Sequence, residues 1–359
     1  MQLYRRIIIV SDAWVPQVNG VVRSLQNLQK ELALLGYDVE IIHPKLFFNF
    51  PCPRYSEIPL ALPLGGKLGQ RLSKFDYSAI HIATEGPLGL AARAFCIRNS
   101  IPFTTAYHTK FPEYVEARFG LSAKWGFRYM RWFHSQSEAV LAPSPSLIKS
   151  LQEKGFRNLR LWGRGVNLDL FKPTPYSWED FCEDHQVMRS KRPSRILLFV
   201  GRVAVEKNIE AFLSLRCPGL KVVVGDGPER QSLQLRYPDA LFLGGMASED
   251  LPRLYSLADV FVFPSLTDTF GLVLLEALAC GTPVAAFPVT GPLDVLGERG
   301  PGALDRDLET AVRKASSISR EACVQFAARH SWRKSAEVFL GELESLITGI
   351  SLDVSLQEG

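Results

Sequence analysis

Residues 4–44 read YRRIIIVSDAWVPQVNGVVRSLQNLQKELALLGYDVEIIHP, and this stretch decides the fold. IIIV is a short apolar run of the kind that forms a buried strand, and SDAWVPQVNG is a loop closed by Asn19-Gly20. Beyond it Leu25, Leu28, Leu32 and Leu35 recur at spacings of 3, 4 and 3, one apolar stripe along a helix. Gly36 stands where a left-handed cap ends such a helix, and DVEIIHP returns as a second strand. A strand–helix–strand passage of this length pairs its strands in parallel, so the chain opens with a βαβ unit.

The alternation continues with YSAIHIA, helical PLGLAARAFCIRN, strand IPFTTAY, helical residues to about 137, and AVLAPS. At 172–195, KPTPYSWEDFCEDHQVMRSKRPSR carries three prolines and mixed charge and reads as a linker. A second series follows: RILLFVGR, a helix after Asn208, LKVVVGDGP, DALFLGG, DVFVFPS, a helix holding Glu276, and TPVAAF, with further helices between the strands. The fold class is α/β, with two doubly wound domains in tandem at 1–172 and 173–331. A tail helix at about 332–350 is placed to cross back to the first domain. A chain of 359 residues suits two domains of about 150–200 residues each.

Composition narrows the function classes. With 47% hydrophobic and 22% charged residues the chain is globular, and no apolar run approaches the ~18 residues of a membrane span. IIIV is too short and wrongly flanked for a signal peptide, so a cytoplasmic protein is expected. Cys52, Cys96, Cys182, Cys217, Cys280 and Cys323 show no CxxC pair or zinc spacing and read as reduced, mostly buried thiols. The net charge of +4 hides an asymmetry: residues 1–180 hold 22 Lys and Arg against 14 Asp and Glu, and the remainder is acidic on balance. A basic half points to an anionic partner, either a membrane surface or an anionic substrate. Nucleic acid is disfavoured, since no binding module or basic–aromatic repeat is present.

In doubly wound sheets ligands bind beyond the carboxyl ends of the strands. After the first strand, Asn19-Gly20 is either a plain turn or a close approach to a phosphate at a helix start. No GxGxxG occurs, which argues against a dehydrogenase. After IPFTTAY comes His108, either a structural histidine or one that handles a proton or a substrate hydroxyl; His43 and His81 lie in comparable places. After RILLFV come Arg202 and Lys207, two cations that suit a diphosphate or form a solvated surface pair. GDGP (225–228) is a tight strand-to-helix turn, structural or nucleotide-facing. After DVFVFPS, Asp268 lies in a glycine turn and Glu276 two helical turns further on, among leucines and alanines. A carboxylate is costly to bury there unless it accepts strong hydrogen bonds, and sugar hydroxyls are suitable donors. A helix cap at Asp268 and a half-exposed ion pair at Glu276 are the alternative. The amides of Phe270, Gly271, Leu272 and Val273 point toward any anion at that helix start.

Taken in order, NGV, YHT, GRVAVEKN, GDGP and TDTFGLVLLEALACGTPV resemble the retaining glycosyltransferases of family 4 over nearly the whole chain. They are most similar to the branch of GDP-mannose-dependent α-mannosyltransferases and sulfoquinovosyl-diacylglycerol synthases. The family's acidic pair is usually Glu-x7-Glu; here the first acid is the shorter Asp268. The resemblance implies a GT-B fold, two Rossmann-like domains facing across a cleft, and carries roles over by position. Arg202 and Lys207 would hold the donor diphosphate, helped by Asn19, Gly20 and the amides of Phe270–Val273. Glu276 would bind the ribose, Asp268 the transferred sugar, and His108 would sit at its reacting face. Backbone at Gly244–Met246 would flank the base. The resemblance also implies retention of configuration and no metal or other cofactor; Asp305-Arg306-Asp307 falls after the last strand and reads as surface.

The acceptor belongs to the first, basic domain. GGKLGQRLSKF (65–75) sets Lys67, Arg71 and Lys74 at helical spacing, and KWGFRYMRWF (124–133) sets Lys124, Arg128 and Arg131 among aromatics. Both segments suit an anionic bilayer. The leading reading is thus a hexosyltransferase on the inner face of the cytoplasmic membrane, using a UDP-sugar or GDP-mannose and a lipid acceptor such as diacylglycerol. A soluble or polyprenol-linked saccharide acceptor, a nucleotide-sugar epimerase and a non-catalytic nucleotide-binding module are the alternatives.

Overall fold

The structure is a computed structural model that describes residues 6–15, 17, 20–52, 55–63, 66–74, 77–108, 123–187, 192–266, 270–297 and 299–343. The chain divides into two compact units, between Gly163 and Arg164 and again between Ser331 and Trp332.

The first unit is built on six parallel strands: β1 (Arg6–Val10), β2 (Asp38–Ile42), β5 (Ala79–Ile82), β6 (Phe103–Ala106), β7 (Ala139–Ala142) and β8 (Leu159–Leu161). They lie in the order β2-β1-β5-β6-β7-β8. Ile7 and Ile9 face one core layer and Ile8 and Val10 the other, so the apolar run is continuous because both faces are covered. Leu25, Leu28 and Leu32 of the Gly20–Leu34 helix fill the first layer. Gly36 adopts φ 86° while the Tyr37 amide reaches back to the Leu32 carbonyl, the cap that stops the helix.

Between β2 and β5 an antiparallel hairpin intervenes, β3 (Asn49–Cys52) with β4 (Tyr55–Ala61), in which Pro51 lies opposite Pro59. A two-stranded ribbon has a free edge on each strand, so it tolerates prolines that lack an amide donor.

The second unit repeats the plan with β9 (Ile196–Val200), β10 (Leu220–Val224), β11 (Leu241–Gly244), β12 (Val260–Phe263), β13 (Val284–Ala286) and β14 (Gly302–Leu304), all parallel in the order β11-β10-β9-β12-β13-β14. Its boundary corrects the sequence reading. Residues 164–172 belong to this unit, because Val166 and Phe171 pack into its core. The supposed linker is partly helical. Ser177 and Asp180 form a capping box that starts the Trp178–Asp184 helix, and Trp178 and Phe181 drop into the same core.

Residues 332–343 are helical and group with the first unit, burying Trp332, Ala336, Phe339 and Leu343. Cys96, Cys182, Cys217, Cys280 and Cys323 are free; Cys52 is not described at side-chain level. Burial pushes the thiols of Cys96, Cys280 and Cys323 up to about 12, which keeps them protonated and inert. Among the described residues no helix is long and apolar enough to cross a membrane.

Candidate active site

In the second sheet β9 lies between β10 and β12, so the chain leaves β9 toward one side and returns to the other for β12. That reversal is the switch point, where loops diverge and leave a crevice. The two loops flanking it carry the predicted donor residues. After β9, Gly201 leads to Arg202, which is exposed, and a short 3-10 turn ends at the partly buried Lys207. After β12, Gly271 in the left-handed region (φ 86°) starts the Leu272–Ala279 helix. Side chains tie the loops together: Asn208 Nδ2 donates to the Pro264 carbonyl (3.1 Å) and Ser265 Oγ to the Glu206 carbonyl (3.3 Å). These bonds join the loop that carries Arg202 and Lys207 to the chain leaving β12, which leads on to an apolar helix whose first amides lack intrahelical acceptors. Among the described residues no carboxylate pairs with Arg202.

The two glycines of GDGP have a structural reason. A Cβ on Gly225 would lie 1.9 Å from the Gly201 carbonyl oxygen and one on Gly227 2.2 Å from that of Val203. Both glycines are there so that the β9 and β10 loops can pass in backbone contact. Asp226 points the other way. Its carboxylate accepts from the Gly245 amide (2.7 Å) and from Arg230 (2.6 Å), and these bonds hold its pKa below the ordinary value. Gly244 and Met246 are thus anchored at the carboxyl end of β11, next in line along the edge.

Glu276 is not half-exposed, as the alternative reading expected. It is only 6% exposed, and its Oε2 accepts from the Tyr255 hydroxyl (3.2 Å). No sequence signal pointed to Tyr255, which comes from the preceding helix, Leu251–Leu257. Asp268 and Asn19 lie outside the described residues; Gly20 opens its helix with open space around its Cβ position.

His108 follows β6, with its ring edge-on to Trp162 (5.9 Å). Trp162 is buried, donates through Nε1 to the Ser335 carbonyl (3.2 Å) and packs on Phe339. The 332–343 helix therefore backs the wall behind His108, a link that the sequence did not reveal. His81 is fully buried, bonded to Thr104 (2.8 Å) and edge-on to Phe339; it is a core histidine. His43 stacks on Trp14. Asp307 caps the Leu308–Ala315 helix and Asp305 pairs with Lys314 (2.8 Å), so that acidic pair is structural.

Lys67 and Arg71 sit on the Lys67–Leu72 helix with Lys74 just beyond it; Lys124, Arg128 and Arg131 sit on the Ala123–His134 helix. Leu68, Leu72 and Phe133 share one core layer, so both helices cover the same face of the first sheet.

Comparison with known proteins agrees with this arrangement. Residues 18–170 match Glycosyltransferase Family 4 and residues 180–336 match Glycosyl transferases group 1. A GDP-mannose-dependent alpha-mannosyltransferase of Corynebacterium glutamicum is 32% identical over 83% of this chain and 76% of its own length. The chain belongs to glycosyltransferase family 4. The sulfoquinovosyl transferase of Arabidopsis thaliana is 30% identical over 82% of this chain, which spans 62% of that protein. An alpha-monoglucosyldiacylglycerol synthase of Streptococcus pneumoniae is 27% identical over 86% of this chain and 78% of its own length. Among solved structures, sucrose-phosphate synthase from Thermosynechococcus elongatus superposes with a TM-score of 0.75 at 21% identity, over 96% of this chain and 99% of that one. The two Rossmann-like units of this family 4 member are those of the GT-B fold.

Proposed function

We propose that the protein is a retaining hexosyltransferase that needs no metal. It moves a hexose from a UDP-sugar or GDP-mannose to a hydroxyl of a membrane lipid such as diacylglycerol, at the inner face of the cytoplasmic membrane. The observation that carries this reading is the tie, at the switch point of the second sheet, between the loop after β9 that bears Arg202 and Lys207 and the chain leaving β12 at Pro264 and Ser265. Departure of a nucleoside diphosphate leaves charge on the β-phosphate, and two fixed cations with a helix N-terminus stabilise that charge. The acceptor oxygen attacks the anomeric carbon from the face the diphosphate leaves, and the departing phosphate oxygen takes the acceptor proton. Gly244 and Met246 flank the base, Asp268 binds hydroxyls of the sugar and His108 lines its reacting face. Glu276 binds the ribose, adding those bonds to the one from Tyr255. The lipid acceptor is supported by the diacylglycerol named for the Streptococcus pneumoniae relative.

A thermal-shift screen against UDP, GDP and their sugars, with and without magnesium, tests the reading. One nucleotide family should raise the melting temperature equally in both conditions, and Arg202→Ala should reduce the shift. No shift with any nucleotide would remove the donor site, and a shift seen only with magnesium would remove the metal-free mechanism.

A further inference from the structure

The first unit carries an exposed aromatic surface that the transfer chemistry does not use. The large exposed apolar side chains of the described residues include four Phe and Trp, at 48, 50, 125 and 132, and all four lie in the first unit. Phe48 is 72% exposed where the chain enters the β3–β4 hairpin, beside Phe47 and Ala61 of the layer that covers Ile8, Ile80 and Ile82. Trp125 (68%) and Trp132 (51%) are seven apart on the Ala123–His134 helix, on one face, and Phe133 of that helix fills the same layer. Ile97, also exposed, ends the neighbouring Pro87–Arg98 helix.

These side chains are held in place. The guanidinium of Arg93 lies 4.2 Å from the Trp132 ring centroid while donating to the carbonyls of Trp132 and Phe133, and Arg128 lies over Trp125.

On this layer the three helices carry charge of one sign, although Arg93 among their cations is buried. The three helices Lys67–Leu72, Pro87–Arg98 and Ala123–His134 read KLGQRL, PLGLAARAFCIR and AKWGFRYMRWFH, with seven Lys and Arg and no Asp or Glu. Indole and phenyl rings that stand out among helices whose charges are all cationic need an apolar medium lying just beneath a layer of anions. A nucleic acid offers the anions without the apolar medium. An anionic bilayer offers both at the right depths, and tryptophan with Lys and Arg is the residue set that settles at its interface.

We infer that Phe48, at the entry to β3, and these three helices form one membrane-docking face, anchored by Phe48, Trp125 and Trp132 and flanked by Arg98, the five cations of the two outer helices and Lys74 just beyond the first. The inference deepens the lipid-acceptor reading, on which it rests. The Phe48 end and the first turn of the Trp125 helix lie on the side where the strands of the first sheet end, so docking by this face brings lipid to the edge that carries His108.

Flotation of the full chain with vesicles of phosphatidylcholine, alone or mixed with phosphatidylglycerol, tests this directly, with the nucleotide thermal shift measured on every variant. The wild type should bind only the mixed vesicles. Trp125→Ser with Trp132→Ser should weaken binding about tenfold or more, and Arg98→Glu by more than about fivefold. Leu235→Ser, an exposed apolar residue of the second unit, should leave it unchanged. Equal binding by the tryptophan variant overturns the assignment, as does a wild type that ignores anionic vesicles while still responding to nucleotide; the latter leaves the transferase reading intact. Tryptophan-dependent vesicle binding with no nucleotide response supports the face and sinks the transferase reading instead. A wild-type dimer that the tryptophan substitutions split, seen by sedimentation velocity, would assign the face to self-association and overturn the docking proposal.

Discussion

Asp12 lies just past β1 and turns its carboxylate onto the first amides of the Pro87–Arg98 helix, accepting from Leu88 (2.9 Å) and Gly89 (3.2 Å), with Thr84 donating as well. Burial raises its pKa above the ordinary 3.8, against the pull of those donors, and nearby Glu85 adds to the rise. A carboxyl with a raised folded pKa binds its proton more tightly in the native state, so its contribution to stability falls as pH rises through that pKa. Urea unfolding followed upward from the ordinary carboxyl value of 3.8 to about pH 7 should therefore show the wild type losing stability relative to Asp12→Asn; parallel behaviour across that range would show that the group is not perturbed. At the switch point, Arg202→Ala should cost about two to three orders of magnitude in kcat, as loss of one fixed donor to a charged transition state does. Arg202→Lys should recover part of it, since a point charge replaces a planar fork. Unaltered kinetics in both would take Arg202 out of the reaction. Gly225→Ala carries a different signature. Its Cβ collides with the Gly201 carbonyl at a φ of 137°, so it should destabilise the second unit by about 1–3 kcal/mol or more, read as a lower urea midpoint.

The 332–343 helix acts as an element rather than as separate residues: Phe339 touches His81 and Trp162, and Trp162 touches His108. Phe339→Ala should cost about 3–5 kcal/mol of first-unit stability and also lower kcat, because the wall behind His108 loosens. A stability loss with kcat unchanged would make the helix a packing element only. Elements of this kind divide what a sequence discloses from what it hides. The βαβ opening was legible because its leucine stripe and Gly36 agree with each other, and the place of Arg202 and Lys207 just after β9 was legible because the apolar run before them marks the strand's end. The Trp178–Asp184 helix was not, since its capping box and two buried aromatics sit just after Pro173 and Pro175, which advertise a loop. The hairpin hid behind Pro51 and Pro59 for the same reason. Tyr255 beside Glu276 and Trp162 behind His108 escaped because each is a contact across many residues, with no local pattern to mark it. GDGP was legible as a tight turn, but the constraint on its glycines, the backbone of the neighbouring loop, has no local pattern.

For the molecule as a whole, two compact units with separate cores need not unfold together, and a ligand stabilises only the unit that binds it. The switch-point loops that hold Arg202, Lys207 and Glu276 all belong to residues 164–331. The cognate nucleotide at about 100 times its Kd should then add about 2.7 kcal/mol to that unit by mass action. Amide hydrogen exchange resolves the consequence. Saturating nucleotide should slow exchange along β9, β10, β12 and β13, strands that open only when the second unit unfolds, while β1, β5 and β6 keep their rates. Anionic vesicles should do the reverse, slowing the amides of the β3–β4 hairpin and the Ala123–His134 helix without touching β9 or β12. Nucleotide protection confined to β1, β5 and β6 would place the donor in the basic half and exchange the roles of the two units. The asymmetry of charge would then mark the nucleotide's binding surface rather than the membrane's.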